Sequence, residues 1–132
     1  MKITASAVSL NVADPGASAG FLVDHFGFEQ VMAADGFASL AREDAGVSVV
    51  FLRTGLASLP ADQRDEHAAG LILAFVVDDL EGELARLERE GVTITMPLTP
   101  EPWGERAFQV RDPNRVIVQL VNWEGEVAPE YR

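Results

Sequence analysis

The chain contains no cysteine. That excludes disulfides, thiolate metal sites and a cysteine nucleophile, and it is compatible with a reducing compartment. Histidine is nearly as scarce, with only His25 and His67. Basic charge is short as well: 10 Lys and Arg stand against 21 Asp and Glu, for a formal net charge of -11. Such a field repels phosphate backbones and anionic lipid, so binding of nucleic acid or a membrane through a basic surface is excluded, whereas a cationic partner would be favoured. No apolar run approaches the ~18 residues needed to cross a bilayer. The start Met1-Lys2-Ile3-Thr4-Ala5 also lacks the apolar stretch of a signal peptide. A soluble cytoplasmic protein is expected.

What is present is an ordinary globular composition, 48% hydrophobic and 23% charged over 132 residues, which suits one domain or two small modules sharing a core. Val8, Leu10 and Val12 alternate with Ala7, Ser9 and Asn11, the period of a strand with one apolar face. Asp14 is a good helix cap and Pro15 suits a first helical position, so a helix is predicted over 15–26, with Ala19, Phe21, Leu22 and Phe26 at helical spacing and Gly27 as its left-handed stop. Strands are predicted over 28–32, 37–42 and 47–53. The stretch 54–70 carries Pro60 and several charges without clear periodicity and reads as a linker. The order then returns, with a strand at 71–77, a cap at Asp78 and Asp79, a helix over about 80–90, Gly91, and strands at 92–96, 106–111 and 116–121.

This is an internal duplication. Val12 and Asp14 correspond to Val77 and Asp79 at an offset of 65, and Asp44 corresponds to Asp112 at 68. Each copy, about 3–53 and 71–123, reads strand, helix, three strands, and a repeat unit of this kind commonly needs its partner to complete a core. The expected fold is α+β, two tandem βαβββ modules forming a curled eight-stranded sheet with helices on one face and a concave ligand cup on the other. Strand parity then assigns side chains to faces. Val8, Leu10, Val12, Val50, Leu52, Leu73, Phe75, Val118 and Leu120 are expected on the helix side. Ser9, Asn11, Phe51, Arg53, Ile72 and Gln119 are expected to line the cup. An amide such as Gln119 on an otherwise apolar face costs free energy unless it is paired or meets a ligand.

The stretch from Pro102 to Gln119 organises the second copy. Two alternating runs separated by Asp112 and Pro113 spell a β-hairpin, and Pro102-Trp103-Gly104 places a large aromatic side chain just before it. Together with Leu10-Asn11-Val12-Ala13-Asp14, Phe26-Gly27-Phe28 and Ala74-Phe75-Val76-Val77-Asp78-Asp79-Leu80, these residues resemble the vicinal oxygen chelate superfamily, which groups glyoxalases, extradiol dioxygenases and bleomycin-resistance proteins. The resemblance runs from Ile3 to Trp123. It implies the duplicated fold, and it implies that enzymes of the group hold a divalent metal at positions falling here on Ala7, Phe51, Ile72 and Gln119. Three of those four side chains have no lone pair to give, so no metal, no cofactor and no catalytic residue is expected. His25, near the end of the first helix, and His67, in the linker, are poorly placed to rebuild such a site.

The metal-free branch most similar to the Pro102-Trp103-Gly104 stretch is the antibiotic-sequestering type, whose members are acidic homodimers with ligand grooves between subunits. By this resemblance the chain is expected to be a homodimer that binds a small aromatic or cationic natural product for antibiotic self-resistance. Trp103 would be its stacking platform, or else a core plug beside Pro102; Phe37 and Phe51 are weaker candidates for aromatic contacts, each read as core before contact. The alternative is a glyoxalase-like lyase or dioxygenase-type enzyme acting on a small oxygenated substrate. Arg115 stands where the family commonly has a turn glycine, a departure that concerns the hairpin tip.

Overall fold

The computed structural model describes residues 1–132. The chain divides into two compact units, Met1–Gly70 and Leu71–Arg132, and each is a βαβββ module. In the first unit the elements are β1 (Ala7–Val12), α1 (Pro15–Phe26), β2 (Glu29–Ala34), β3 (Phe37–Ala41) and β4 (Ser48–Arg53). In the second they are β5 (Ile72–Val76), α2 (Leu80–Arg89), β6 (Ile94–Pro100), β7 (Glu105–Arg111) and β8 (Ile117–Trp123), followed by a 3-10 turn at Pro129–Tyr131. The eight strands form two open four-stranded mixed sheets, ordered β1-β4-β3-β2 and β5-β8-β7-β6. In each, the first and last strands of the module pair in parallel and the rest run antiparallel. Neither helix is long and apolar enough to cross a membrane.

The helices begin and end where local chemistry dictates. Asp14 caps α1 by accepting the Ala17 N–H at 3.2 Å, and Pro15 occupies the first turn, where its missing N–H costs nothing. Gly27 closes α1 in the left-handed conformation, with φ 67°, and the Phe28 N–H reaches back to the Leu22 carbonyl at 3.2 Å. The Arg42 guanidinium donates to the otherwise orphaned Phe26 carbonyl at 2.5 Å. A Cβ on residue 27 would stand 2.9 Å from that guanidinium, so glycine serves both the turn and the close approach. Asp79 repeats the N-cap in α2, accepting the Gly82 N–H at 3.1 Å.

In the first sheet Leu10, Val12, Ala38, Leu40, Val49 and Phe51 are buried, and α1 contributes Pro15, Ala19, Leu22 and Phe26 to the same core. In the second, Leu73, Phe108, Val110, Val118 and Leu120 are buried with Leu80 and Leu87 of α2. The 54–70 stretch has no helix or strand, yet it is an organised loop belonging to the first unit. Arg64 gathers it by donating to the carbonyls of Leu56, Ala57 and Leu59 at 3.0–3.1 Å. The Gly55 N–H adds a 2.7 Å bond to the Arg64 carbonyl.

The turn between β7 and β8 is built on Asp112 as expected. Its buried carboxylate accepts the N–H groups of Asn114 at 2.8 Å and Val116 at 2.9 Å. Arg115 takes the left-handed conformation, φ 66°, and is the only non-glycine residue with positive φ. Glycine adopts that conformation without the clash a Cβ brings. Arg115→Gly is therefore expected to raise stability by about 1 kcal/mol, measurable as a higher midpoint in urea unfolding with an unchanged slope.

Candidate ligand-binding site

The face of each sheet opposite its helix is where the sequence places ligand-contacting side chains. In the first unit the parallel register pairs Ser9 with Val50, Leu10 with Phe51, Asn11 with Leu52 and Val12 with Arg53. Paired residues share a face. Phe51 therefore lies with Leu10 on the helix side, 1% exposed, and the expectation that it lines the ligand face is overturned. Arg53 shares its parity and is tied to Asp35 at 2.8 Å, so it too leaves the candidate site. The hydrogen bond and charge of Arg53 hold the Asp35 carboxyl below the usual carboxylate range. Val50 and Leu52, expected on the helix side, occupy the open face instead.

What remains on that face is Ser9, Asn11 and Phe37, alongside Val50, Leu52 and Ser39. Ser9 is exposed, and Phe37 is half-buried beside Leu52. The Asn11 amide is committed to the loop, donating to the Gln63 carbonyl at 3.0 Å, while the Asn11 carbonyl accepts the Ala68 N–H at 2.6 Å. Asn11 thus fastens the 54–70 loop to β1.

The second unit keeps the expected parity. Ile72, Ala74 and Val76 of β5 are exposed, and the register sets Ala74 beside Gln119 and Gln119 beside Gln109. Gln109 Nε2 donates to Gln119 Oε1 at 2.7 Å. Both amides are half-buried. The bond uses one hydrogen of Gln109 and one acceptor of Gln119, leaving the Gln119 side-chain amide hydrogens and Gln109 Oε1 with no protein partner. Gln109 is a residue that strand parity alone does not single out. Folding the predicted hairpin symmetrically about Asn114 brings it opposite Gln119, and that symmetry is the signal in the sequence.

Trp103 stands in the tight connection between β6 and β7, closed by the Glu101 N–H on the Glu105 carbonyl at 2.6 Å and the Gly104 N–H on the Glu101 carbonyl at 3.1 Å. Its indole is half-buried and meets Tyr131 edge to face, ring centres 5.9 Å apart and planes at 72°. The strongest charge cluster of the unit lies on the helix side. There Arg106 bonds Glu81, Asn122 at 3.0 Å and Glu124 at 3.3 Å, and its guanidinium holds the Glu81 carboxyl below the usual range.

Two open clefts lie apart from these residues. One, of about 950 Å³, is bordered by Gly27, Glu29 and Arg42–Asp44. The other, of about 490 Å³, runs beside α2 and β6 along Leu84, Val92, Ile94 and Leu98. Arg42, the one cation in the first cleft, is already bound to Asp44 and the Phe26 carbonyl.

A family model described as the glyoxalase/bleomycin resistance protein/dioxygenase superfamily matches residues 4–120. The chain belongs to this superfamily. No curated protein matches the sequence significantly. Among solved structures, TnmS3, an antibiotic-binding protein from Streptomyces sp. CB03234, is 24% identical, with 94% of this chain and 99% of that one covered and a TM-score of 0.71. TioX from Micromonospora sp. ML1 is 25% identical over 92% and 100% of the two chains, TM-score 0.68. A lactoylglutathione lyase from Agrobacterium tumefaciens is 18% identical over 92% and 94%, TM-score 0.72. Structures this distant in sequence share the fold with this member of the superfamily, and the fold hosts more than one chemistry.

The superfamily's metal positions can be tested against the donors present. The ladders relate the last strands of the two modules by an offset of 69, since Ser9 faces Val50 where Ala74 faces Gln119. The equivalent of Gln119 is therefore Val50, one residue from the Phe51 that the sequence suggested. Asp112 is the first residue of its turn, directly after β7, whereas Asp44 is the third residue after β3, so the two aspartates are not equivalent and an offset taken from them slips. Ala7, Val50 and Ile72 are hydrocarbon, and the Gln119 carbonyl already accepts from Gln109. This donor set does not fit a divalent ion, which needs several N, O or S ligands at once. No three His, Cys, Asp or Glu side chains gather elsewhere to hold one. His25 rests edge to face on Phe21, ring centres 5.2 Å apart, and His67 lies in the 54–70 loop with Nδ1 3.2 Å from the Ala68 carbonyl.

Proposed function

We propose that this superfamily member binds and sequesters a small organic molecule with a planar aromatic or cationic part, and does not transform it. The observation that carries this reading is the Gln109–Gln119 pair. It puts a neutral hydrogen-bonding couple where the superfamily's enzymes use a metal ligand, on a face it shares with Ile72, Ala74, Val76, Ile117, Val121 and Ala107. A face of that kind offers a ligand apolar area together with a donor and an acceptor, the usual make-up of a small-molecule site. Trp103 supplies an aromatic surface in the same unit, and the net charge of -11 favours a cation. Antibiotic self-resistance is the biological role this binding would serve, in keeping with the superfamily's name and the description of TnmS3.

The test is a thermal-shift series with glycopeptide, enediyne and anthraquinone-type compounds, because a ligand selective for the native state raises the melting temperature by mass action. At least one class is expected to stabilise the chain, with the shift reduced in Trp103→Ala and in Gln109→Leu. Without ligand, Gln109→Leu is expected to cost about 1 kcal/mol, the net worth of one hydrogen bond. A flat response to every class, with both variants indistinguishable from the parent chain, would count against binding. Elemental analysis of protein purified without chelators addresses the enzyme alternative: one firmly held divalent ion per chain would overturn the sequestration reading.

Assembly into a homodimer belongs to the same proposal. Ile72 and Val76 on the open face of edge strand β5 are 47% and 68% exposed, and apolar side chains so placed are a natural contact for a second copy. Sedimentation equilibrium is expected to give twice the 14.3 kDa chain mass.

A further inference from the structure

We propose that the C-terminal segment Glu124–Arg132 is a displaceable strap that holds Tyr131 against Trp103, and that it must swing aside before a ligand ring can stack on the indole. The inference rests on the proposed role of Trp103 in ligand binding. It starts from composition: the chain has one tyrosine and two tryptophans, and the fold brings all three to the surroundings of Gly104. Trp123 ends β8 with its Cε3 about 4.0 Å from where a Cβ on residue 104 would stand, Trp103 precedes Gly104, and Tyr131 lies edge to face on Trp103.

The strap is fastened to this corner by backbone. The Glu124 N–H donates to the Gly104 carbonyl at 2.8 Å, and the Ala128 N–H to the Trp103 carbonyl at 3.3 Å. Gly104 itself, with φ 104°, permits the approach, since a Cβ there would stand 3.4 Å from the Glu126 carbonyl oxygen and 3.6 Å from that of Glu124. The segment also carries its own clip. Arg132 reaches back to the Glu126 carboxylate at 2.7 Å and the Val127 carbonyl at 3.2 Å, folding the last residues into a small loop that presents Tyr131.

Little opposes release. No residue from Glu124 to Arg132 is buried, Tyr131 is 51% exposed, and the ion pair is between exposed groups, which contributes little. The segment therefore has the character of a cap rather than of core. A segment held by a few exposed bonds opens readily, and a ligand needing the opened form binds with an affinity reduced by the fraction of time the strap is closed. Glu101, Glu105 and Glu130 have no cationic partner, so the surroundings of the uncovered indole are negative and suit a cationic ring.

The experiment uses the full chain in a Trp123→Phe background, so that Trp103 alone fluoresces. Two readings are taken on the parent chain, Tyr131→Ala and Tyr131→Phe: acrylamide quenching of Trp103, and affinity for mitoxantrone, a planar dicationic anthraquinone. Removing the ring is expected to roughly double the quenching constant as the strap loosens, with Tyr131→Phe close to the parent because it keeps the aromatic contact. Mitoxantrone is expected to bind Tyr131→Ala about threefold or more tightly, the scale of one aromatic pair lost from the closed form. Unchanged quenching in Tyr131→Ala would show that nothing is shielded and would overturn the strap. Weaker or equal mitoxantrone binding by Tyr131→Ala would also overturn it, making Tyr131 a ligand contact or a bystander. Increased quenching with no mitoxantrone binding by any variant would support the shielding while counting against the ligand class in the proposed function, so the two ideas fail separately.

Discussion

Phe51→Ala is expected to destabilise the chain by about 3–5 kcal/mol, the range for truncating a fully buried phenylalanine. The ring is 1% exposed and faces the α1 side of the first sheet, with Leu10 on one neighbouring strand and Ala38 on the other. Its removal takes away apolar burial and leaves a cavity bounded by strands that are held by their own ladders and collapse only in part. Val50→Ala, one residue away on the open face and half-buried, is expected to cost about 1 kcal/mol. The pair of variants distinguishes the two faces in one measurement of denaturant midpoints. If Phe51 lined the ligand face, the order would invert: Phe51→Ala would be tolerated in the free protein and would act mainly on ligand affinity.

Asp112→Ala is expected to cost about 2–4 kcal/mol, because one buried carboxylate satisfies two backbone donors in the β7–β8 turn. With the Asn114 and Val116 N–H groups at 2.8 and 2.9 Å from the same Oδ1, the deletion strands both at a buried site. Asp112→Asn keeps an oxygen in that position and is expected to recover about half of the loss, since a neutral acceptor makes a weaker bond than an ionised one. The readouts are the unfolding midpoint and hydrogen exchange at Asn114 and Val116. Loss of protection confined to those two amides in Asp112→Ala would locate the effect in the turn. A cost below about 0.5 kcal/mol, the size typical of an ordinary surface substitution, would show that water replaces the carboxylate without difficulty. The hairpin positions Gln109 opposite Gln119, so Asp112→Ala is also expected to loosen that pair.

The contrast between these two residues shows how far the sequence reaches. Asp112 was legible as a turn because its effect is local: an Asx side chain, a proline and two flanking alternating runs sit within a few residues of one another. The same holds for Asp14 with Pro15 and for Gly27 around α1, and for Asp79 before α2. The face of Phe51 is not legible in this way, because Val49-Val50-Phe51-Leu52 is a continuous apolar run, in which period two leaves no mark to say which residues face the helix. The duplication supplies an offset of 68 from Asp44 to Asp112, but the two aspartates stand at different places in their turns, and the strand register sets the correspondence at 69. In a strand, a slip of one residue changes the face of every side chain.

The candidate site divides in the same way. Ser9, Ile72 and Gln119 lie on the sheet faces that strand parity gives them, Phe37 lies beside Leu52 on the open face of the first sheet, and Trp103 stands half-buried in the β6–β7 connection. Asn11 is on its expected face, but its amide serves the 54–70 loop, whose path depends on Arg64 and on carbonyls that carry no sequence signature. Gln109 and Tyr131, the partners of Gln119 and Trp103, come from a neighbouring strand and from the terminal segment.

The sequence by itself determined the two βαβββ modules, the caps of both helices, the Asp112 turn and the poverty of metal donors, since each is written in neighbouring residues or in composition. Only the tertiary structure decided which face of β4 is core, that Gln119 is paired with Gln109, and that Tyr131 meets Trp103 edge to face. Those facts depend on strand register and chain path, which are fixed by pairing between segments far apart in the chain.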